Sequence, residues 1–191
     1  MRRQNKHDLP RLNKMRLLQF GLTFMTFIGL ISVLAFEGCD ARKEGNNMQS
    51  VPLEKIVVDL YANVDVPPYE IVALNSDNFQ YYSFIPHNDS LSAVSADALA
   101  SITPHSLVVI RTENGDGEAL AQEIFNNADP GKWLCVRAES VSVAYTDHYV
   151  ILVMSERITA DAITENFGAL AQELDGMNMK LYSADNPEYE Q

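Results

Sequence analysis

Cysteine is scarce in this sequence: its 191 residues include only two, Cys39 and Cys135. Two cysteines cannot build the disulfide scaffold of a small secreted domain, and we expect no bridge between them because it would tie a linker to a folded domain. Cys135 stands in the apolar stretch KWLCVRA, which predicts a buried, unreactive thiol. Neither C-x-x-C nor H-E-x-x-H occurs, so no metal site is predicted.

Motifs for nucleophilic and phosphate chemistry are also missing. No G-x-S-x-G turn presents a serine, and ADPGKW lacks both the first glycine and the hydroxyl residue of a phosphate loop. Three histidines are far apart in the sequence and lie in predicted loops or turns: His87, His105 and His148. We expect their side chains at the surface. The sequence therefore predicts no catalytic residue and no cofactor.

Positive charge is rare after Cys39, where 8 Lys and Arg stand against 24 Asp and Glu, a formal balance of −16 (8 − 24). A domain this acidic repels phosphate backbones and anionic lipid headgroups, so no nucleic-acid partner is expected. Residues 1–16 show the opposite bias, with six basic side chains and one acid, Asp8.

A long apolar run, LLQFGLTFMTFIGLISVLAF, occupies residues 17–36 and carries no charge. As a helix it would be about 30 Å long, the hydrocarbon thickness of a bilayer. The basic residues lie only before it, so the positive-inside rule puts residues 1–16 in the cytoplasm and everything after Cys39 on the outer face of the cell membrane.

Two fates of this segment stay open. Gly38-Cys39 fits a bacterial lipoprotein signal, in which Cys39 receives lipid, but Phe36 and Glu37 fit that pattern badly. An uncut transmembrane anchor explains the length of the run and tolerates Glu37 at the interface. Translation from Met15 would shorten the basic segment and favour the lipoprotein signal. Either fate tethers the following domain to the membrane.

After a polar linker at 37–50, the pattern predicts an α+β domain over 51–180 and a frayed tail over 181–191. Apolar positions spaced three and four apart predict three helices, and alternating or continuous apolar runs predict about four strands in an antiparallel or mixed sheet. The predicted order is α-β-β-α-β-β-α: helices at 50–64, 117–129 and 158–176, and strands at 79–86, 106–112, 140–146 and 149–155, the last two as a hairpin.

The predicted strand at 79–86, FQYYSFIP, is rich in aromatic residues. Tyr81, Tyr82 and Phe84 would form a surface on which sugar rings or peptides stack, because such rings give large contact areas at low entropic cost. The alternative is an ordinary aromatic strand with alternate residues in the core.

The run SLVVIRTENGDGEALAQEIFNNADPGKW…SVSVAYTDHYVILVMSE resembles the domain of unknown function 4358 family. The resemblance rests on a strand, a short charged turn, an amphipathic helix and a tight hairpin, and it covers about residues 52–174. Ser106 stands where the family usually has Glu, and Asp147-His148 where its hairpin usually has Gly. The resemblance implies an extracytoplasmic domain of Gram-positive, largely clostridial, bacteria, behind a lipoprotein signal or membrane anchor, and implies no activity.

Topology and the lack of a catalytic motif together predict a membrane-tethered, extracytoplasmic binding or accessory module of the cell envelope. Its expected partners are the membrane, through the N-terminal segment, and an envelope protein or glycan. The alternative is an envelope hydrolase whose active site is assembled from residues scattered along the chain.

Overall fold

The computed structural model describes residues 51–185. Helices and strands follow in the order α1 (Leu53–Leu60), β1 (Tyr69–Leu74), α2 (Phe79–Ser83), β2 (Leu91–Ala98), β3 (Ser106–Thr112), α3 (Gly117–Asn127), β4 (Ser140–Tyr145), β5 (Tyr149–Ser155), α4 (Arg157–Leu174) and β6 (Lys180–Asp185). The predictions for residues 1–50, including the 17–36 span and Cys39, lie outside this range.

The six strands form one sheet in the order β1-β2-β3-β5-β4-β6, and every neighbouring pair is antiparallel. Helices α1 and α4 pack on one face, here called the first face, and α2 and α3 on the second face. The α+β class is thus confirmed, with an antiparallel sheet that has six strands rather than about four.

Both faces of the central strands are buried, which explains their continuous apolar sequence. In β3, Leu107 and Val109 point to the first face, whereas Val108 and Ile110 point to the second. Successive side chains of a strand alternate in this way, so a strand covered on both sides needs apolar residues at every position. The buried run of β5 and its hairpin with β4 are confirmed as predicted.

The three helices predicted from apolar spacing are confirmed. Leu53, Ile56, Val57 and Leu60 form the buried stripe of α1. Comparable stripes anchor α3 and α4, and α4 ends just before Gly176, whose φ of 63° suits glycine. In each helix the apolar spacing of 3.6 residues sets which side faces the sheet.

The predicted strand at 79–86 is wrong, because Phe79–Ser83 forms the short helix α2. Phe79 is fully buried against the second face, and the Ser83 hydroxyl donates to the backbone oxygen of Phe79 at 2.8 Å. Burial of Phe79 and the local hydrogen bond outweigh the strand preference of the aromatic residues.

Three strands were not predicted. β2 lies in a stretch expected to be a loop, and its Ser and Ala residues have weak strand preference, yet the strand is held between β1 and β3. β1 follows the expected helix stop at Pro67-Pro68. β6 occupies residues expected to fray. Its side chains are mostly exposed, so the sequence gives no sign of its backbone pairing with β4.

Candidate functional site

Tyr81 and Tyr82 lie side by side on α2, with ring centroids 4.9 Å apart and planes at 88°. Tyr81 is 61% exposed, whereas Tyr82 is half-buried against the core of the second face. Phe84 follows the helix at a left-handed φ of 65° and packs, partly buried, against the same core. The structure therefore brings the two tyrosines together at the surface and directs Phe84 inward.

A lysine lies among these rings. The Lys132 Nζ is 5.7 Å from the centroid of Tyr81 and 5.2 Å from those of Tyr82 and Trp133. Its side chain is only 4% exposed, so the cation–π contacts operate in a largely desolvated place where they are strong. We call Tyr81, Tyr82 and Trp133 the aromatic patch.

The ammonium group of Lys132 is fixed by a network of three side chains. It donates to Asp97 Oδ2 at 2.8 Å and to Ser106 Oγ at 2.9 Å, and the Ser106 hydroxyl donates to Asp97 Oδ1 at 2.7 Å. Asp97 of β2 and Ser106 of β3 are register partners, so the sheet itself sets their spacing. The loop carrying Lys132 is thereby held to the sheet.

Burial lowers the pKa of the Lys132 ammonium, while the adjacent Asp97 carboxylate raises it. Burial also raises the pKa of the Tyr82 hydroxyl, with a smaller contribution from Asp97. Ser106 is fully buried and its proton is already committed to Asp97, so Lys132 does not act as its base. The arrangement is suited to holding aromatic rings in place and not to acyl transfer.

A second polar group lies on the first face, at the start of β3. The His105 Nε2 is 2.8 Å from the Tyr61 hydroxyl, and its Nδ1 is 2.9 Å from Ser155 Oγ. Burial lowers the pKa of His105 to about 4, with smaller opposing contributions from Asp97, which raises it, and Lys132, which lowers it. Burial likewise raises the pKa of Tyr61. All three side chains are therefore neutral at pH 7.

Two expectations about individual side chains are wrong. His105 was expected at the surface but is 1% exposed, because its ring is held between Tyr61, which follows α1, and Ser155, at the end of β5. Cys135 was expected to be buried but is exposed, since the apolar residues around it lie in a loop between α3 and β4 and not in a strand. His148 does lie in the exposed hairpin turn, where it pairs with Asp175.

Sequence reasoning found the two tyrosines but missed Lys132, Asp97 and His105. Lys132 and Asp97 are 35 positions apart, and His105 and Ser155 are 50 apart, so no local pattern joins them. The only local sequence signal for this site is the pair Lys132-Trp133, and the same pair is equally typical of the end of a helix.

Within residues 51–185, no group of three or more His, Cys, Asp or Glu side chains is placed to hold a metal ion. No helix of that same range combines the length and apolar character needed to cross a bilayer.

A scan against protein-family models finds no match, and searches of the curated proteins and of the solved structures find none either. The resemblance to the domain of unknown function 4358 family therefore stays a prediction.

Proposed function

We propose that this protein is a membrane-tethered binding module of the bacterial cell envelope, and that its aromatic patch holds an envelope glycan or protein. The observation that carries the proposal is the position of Lys132 between Tyr81, Tyr82 and Trp133. A buried cation that contacts three rings fixes them before any partner arrives.

Rigid aromatic surfaces favour binding because side chains that are already ordered lose little conformational entropy on contact. Tyr81 offers most of its side chain to solvent, and the next residue after Trp133, Leu134, is 98% exposed. Rings of this kind stack on the apolar faces of sugars and on peptide side chains.

The tether comes from the sequence alone. The uncharged run at 17–36 follows the basic segment 1–16, which supports a domain on the outer face of the membrane, held by an uncut helix or by lipid on Cys39. A reporter that is active only outside the cytoplasm, fused after Gln191, is expected to be active. Activity of a cytoplasm-only reporter at the same position would contradict the topology. The intact mass of the product distinguishes lipid on Cys39 from an unprocessed N-terminus.

An envelope hydrolase is the second candidate, favoured by one observation: the 2.9 Å contact between His105 Nδ1 and Ser155 Oγ. Two features argue against it. The lowered pKa makes His105 a weak general base, and its other ring nitrogen contacts the Tyr61 hydroxyl, which supplies no negative charge to stabilise an imidazolium. Covalent labelling of Ser155 by a fluorophosphonate would favour the hydrolase.

The binding proposal is tested with the full chain in detergent, sedimented with protein-free cell-wall glycan in one arm and mixed with glycan-free envelope proteins and a cross-linker in the other. Tyr81→Ala and Trp133→Ala are expected to weaken binding about tenfold, the loss of one stacked ring at about 1 to 2 kcal/mol. Val58→Ala is the matched control, because Val58 is an exposed apolar residue of α1 on the other face.

The two arms identify the partner. Binding in the glycan arm assigns a glycan, and binding in the protein arm assigns a protein. If Tyr81→Ala and Val58→Ala bind as well as the unchanged chain in both arms, the aromatic patch is not the binding surface.

A further inference from the structure

A cavity of about 380 Å³ opens on the first face, the side of the sheet opposite the aromatic patch. The connection between α1 and β1, the loop before β3 and the start of α4 meet there. Its inner wall includes the buried side chains of His105 and Ser155, and Pro67, Pro68 and Pro104 add apolar surface. A volume of this size lies at the small end of ligand sites in proteins, about 300 to 1,000 Å³.

The charged side chains that line the cavity among the described residues have one sign. Asp65 and Glu156, both solvent-exposed, belong to its lining, which contains no Lys or Arg. Carboxylates at the entrance attract cations and repel anions, and the acidic surface of the whole domain adds to this field.

We propose that this cavity binds a small molecule bearing a protonated amine, of the size of one amino acid or one amino sugar. The amine lies towards Asp65 and Glu156, and the uncharged body of the ligand lies against the prolines, His105 and Ser155. The site is separate from the aromatic patch, so this inference goes beyond the proposed function.

The inner wall suits such a ligand because it is polar but uncharged. Burial lowers the pKa of His105 to about 4, so at pH 7 its ring is neutral and does not repel a cation. Tyr61 and Ser155 hold the two ring nitrogens and fix its orientation. A serine hydroxyl has one donor and two acceptor sites, so Ser155 keeps capacity for a ligand beyond its bond to His105.

The test titrates the full chain in detergent micelles, at pH 7 and low salt, with two matched pairs of probes. Glucosamine and L-alaninamide carry the amine, and N-acetylglucosamine and N-acetyl-L-alaninamide are their uncharged counterparts. Calorimetry is expected to show saturable binding of at least one amine, and binding of its acetylated counterpart at least about tenfold weaker, since the charge-assisted contacts are lost.

Variants locate the site. Asp65→Asn and Glu156→Gln are each expected to weaken amine binding about two- to fivefold, because exposed ion pairs are modest. Both positions are exposed, so the fold should persist, which thermal unfolding checks. Asp89→Asn is the matched control, an exposed carboxylate outside the cavity, and Tyr81→Ala should leave amine binding unchanged.

The inference is overturned if no amine saturates below about 10 mM, if the acetylated probes bind equally well, or if Asp65→Asn and Glu156→Gln bind like Asp89→Asn.

Discussion

The Lys132 ammonium lies 2.8 Å from the Asp97 carboxylate, although the two residues are 35 positions apart in the chain. This ion pair connects the loop after α3 to β2 and also fixes the cation that the aromatic patch surrounds. The Lys132 side chain is almost fully buried and that of Asp97 is one-quarter exposed. Removing one residue of such a pair leaves the other as a partly desolvated charge without a partner. The resulting loss of stability can be measured.

Lys132→Met is expected to lower the free energy of unfolding by about 2 to 4 kcal/mol, because Asp97 loses its counter-charge while keeping most of its burial. Chemical denaturation measures the change. The double variant Lys132→Met with Asp97→Asn should recover part of the loss, since neither charge is then left alone.

Lys180→Met is the matched control, because Lys180 forms an ion pair with Glu118 in which both side chains are 62% exposed. Exposed pairs contribute about 0 to 1 kcal/mol, so little change is expected there. Equal effects at positions 132 and 180 would show that the buried pair is no more important to stability than a surface pair.

His105 should make stability depend on pH. Burial lowers its pKa from 6.5 to about 4, so between those values the unfolded chain takes up a proton that the folded chain does not. Its contribution to stability is complete above pH 6.5 and falls as the pH falls towards 4, by roughly 3 kcal/mol in all. His105→Gln, which keeps a polar side chain but cannot titrate, should reduce the slope of unfolding free energy against pH in this window.

The control for this prediction is His87→Gln, which removes an imidazole that packs on the Phe79 ring and leaves His105 in place. Its slope between pH 4 and 6.5 should stay steeper than that of His105→Gln. Proton NMR of the unchanged protein gives a second measurement that needs no variant. A titration midpoint of His105 near 6.5 would contradict the lowered pKa.

Gly117 begins α3 directly against the hairpin between β4 and β5. Its backbone N–H donates to the backbone carbonyl oxygen of Asp147 at 2.9 Å, and an added Cβ would collide with the backbone oxygen of Thr146. Gly117→Ala should therefore lower stability by about 2 kcal/mol or more, because backbone atoms cannot yield as a side chain can. Thermal and chemical denaturation measure it.

Gly168→Ala provides the comparison. Gly168 is inside α4, where a Cβ would only touch the flexible side chain of Met179 at 3.5 Å or more. Alanine is the better helix former by about 1 kcal/mol, so this change should be neutral or stabilising. If both alanine variants behaved alike, the close packing of α3 on the hairpin would be refuted.

Local patterns were enough to predict α1, α3 and α4 and the strands β3, β4 and β5. The stripes of α1, α3 and α4 and the buried run of β5 are dictated by contacts with the sheet, and the hairpin needs only a short turn. The edge strands are different. β6 is held by backbone pairing with β4 while most of its side chains face solvent, so its sequence carries little sign of a strand.

The candidate site was predictable only in its exposed aromatic part. Tyr81 and Tyr82 stand next to each other in the chain, and rings of that kind predict a contact surface. The contact between Lys132 and Asp97 depends on the pairing of β2 with β3. β2 consists mainly of small residues, and its sequence does not predict a strand. Because a buried ion pair needs both partners placed by the fold, composition alone cannot reveal it.

Cys135 should be reactive in the folded protein, since its side chain is exposed in the loop between α3 and β4. Iodoacetamide is expected to label it without denaturant at a rate within about tenfold of that in the unfolded chain, because no burial protects the thiol. Peptide mass spectrometry assigns the label to Cys135 and separates it from Cys39. The matched control is Cys135→Ser with Ala138→Cys, which moves the thiol three residues to a fully buried position and should slow labelling strongly. Equal labelling rates at positions 135 and 138, or no labelling of Cys135 until denaturant is added, would show that this loop packs differently.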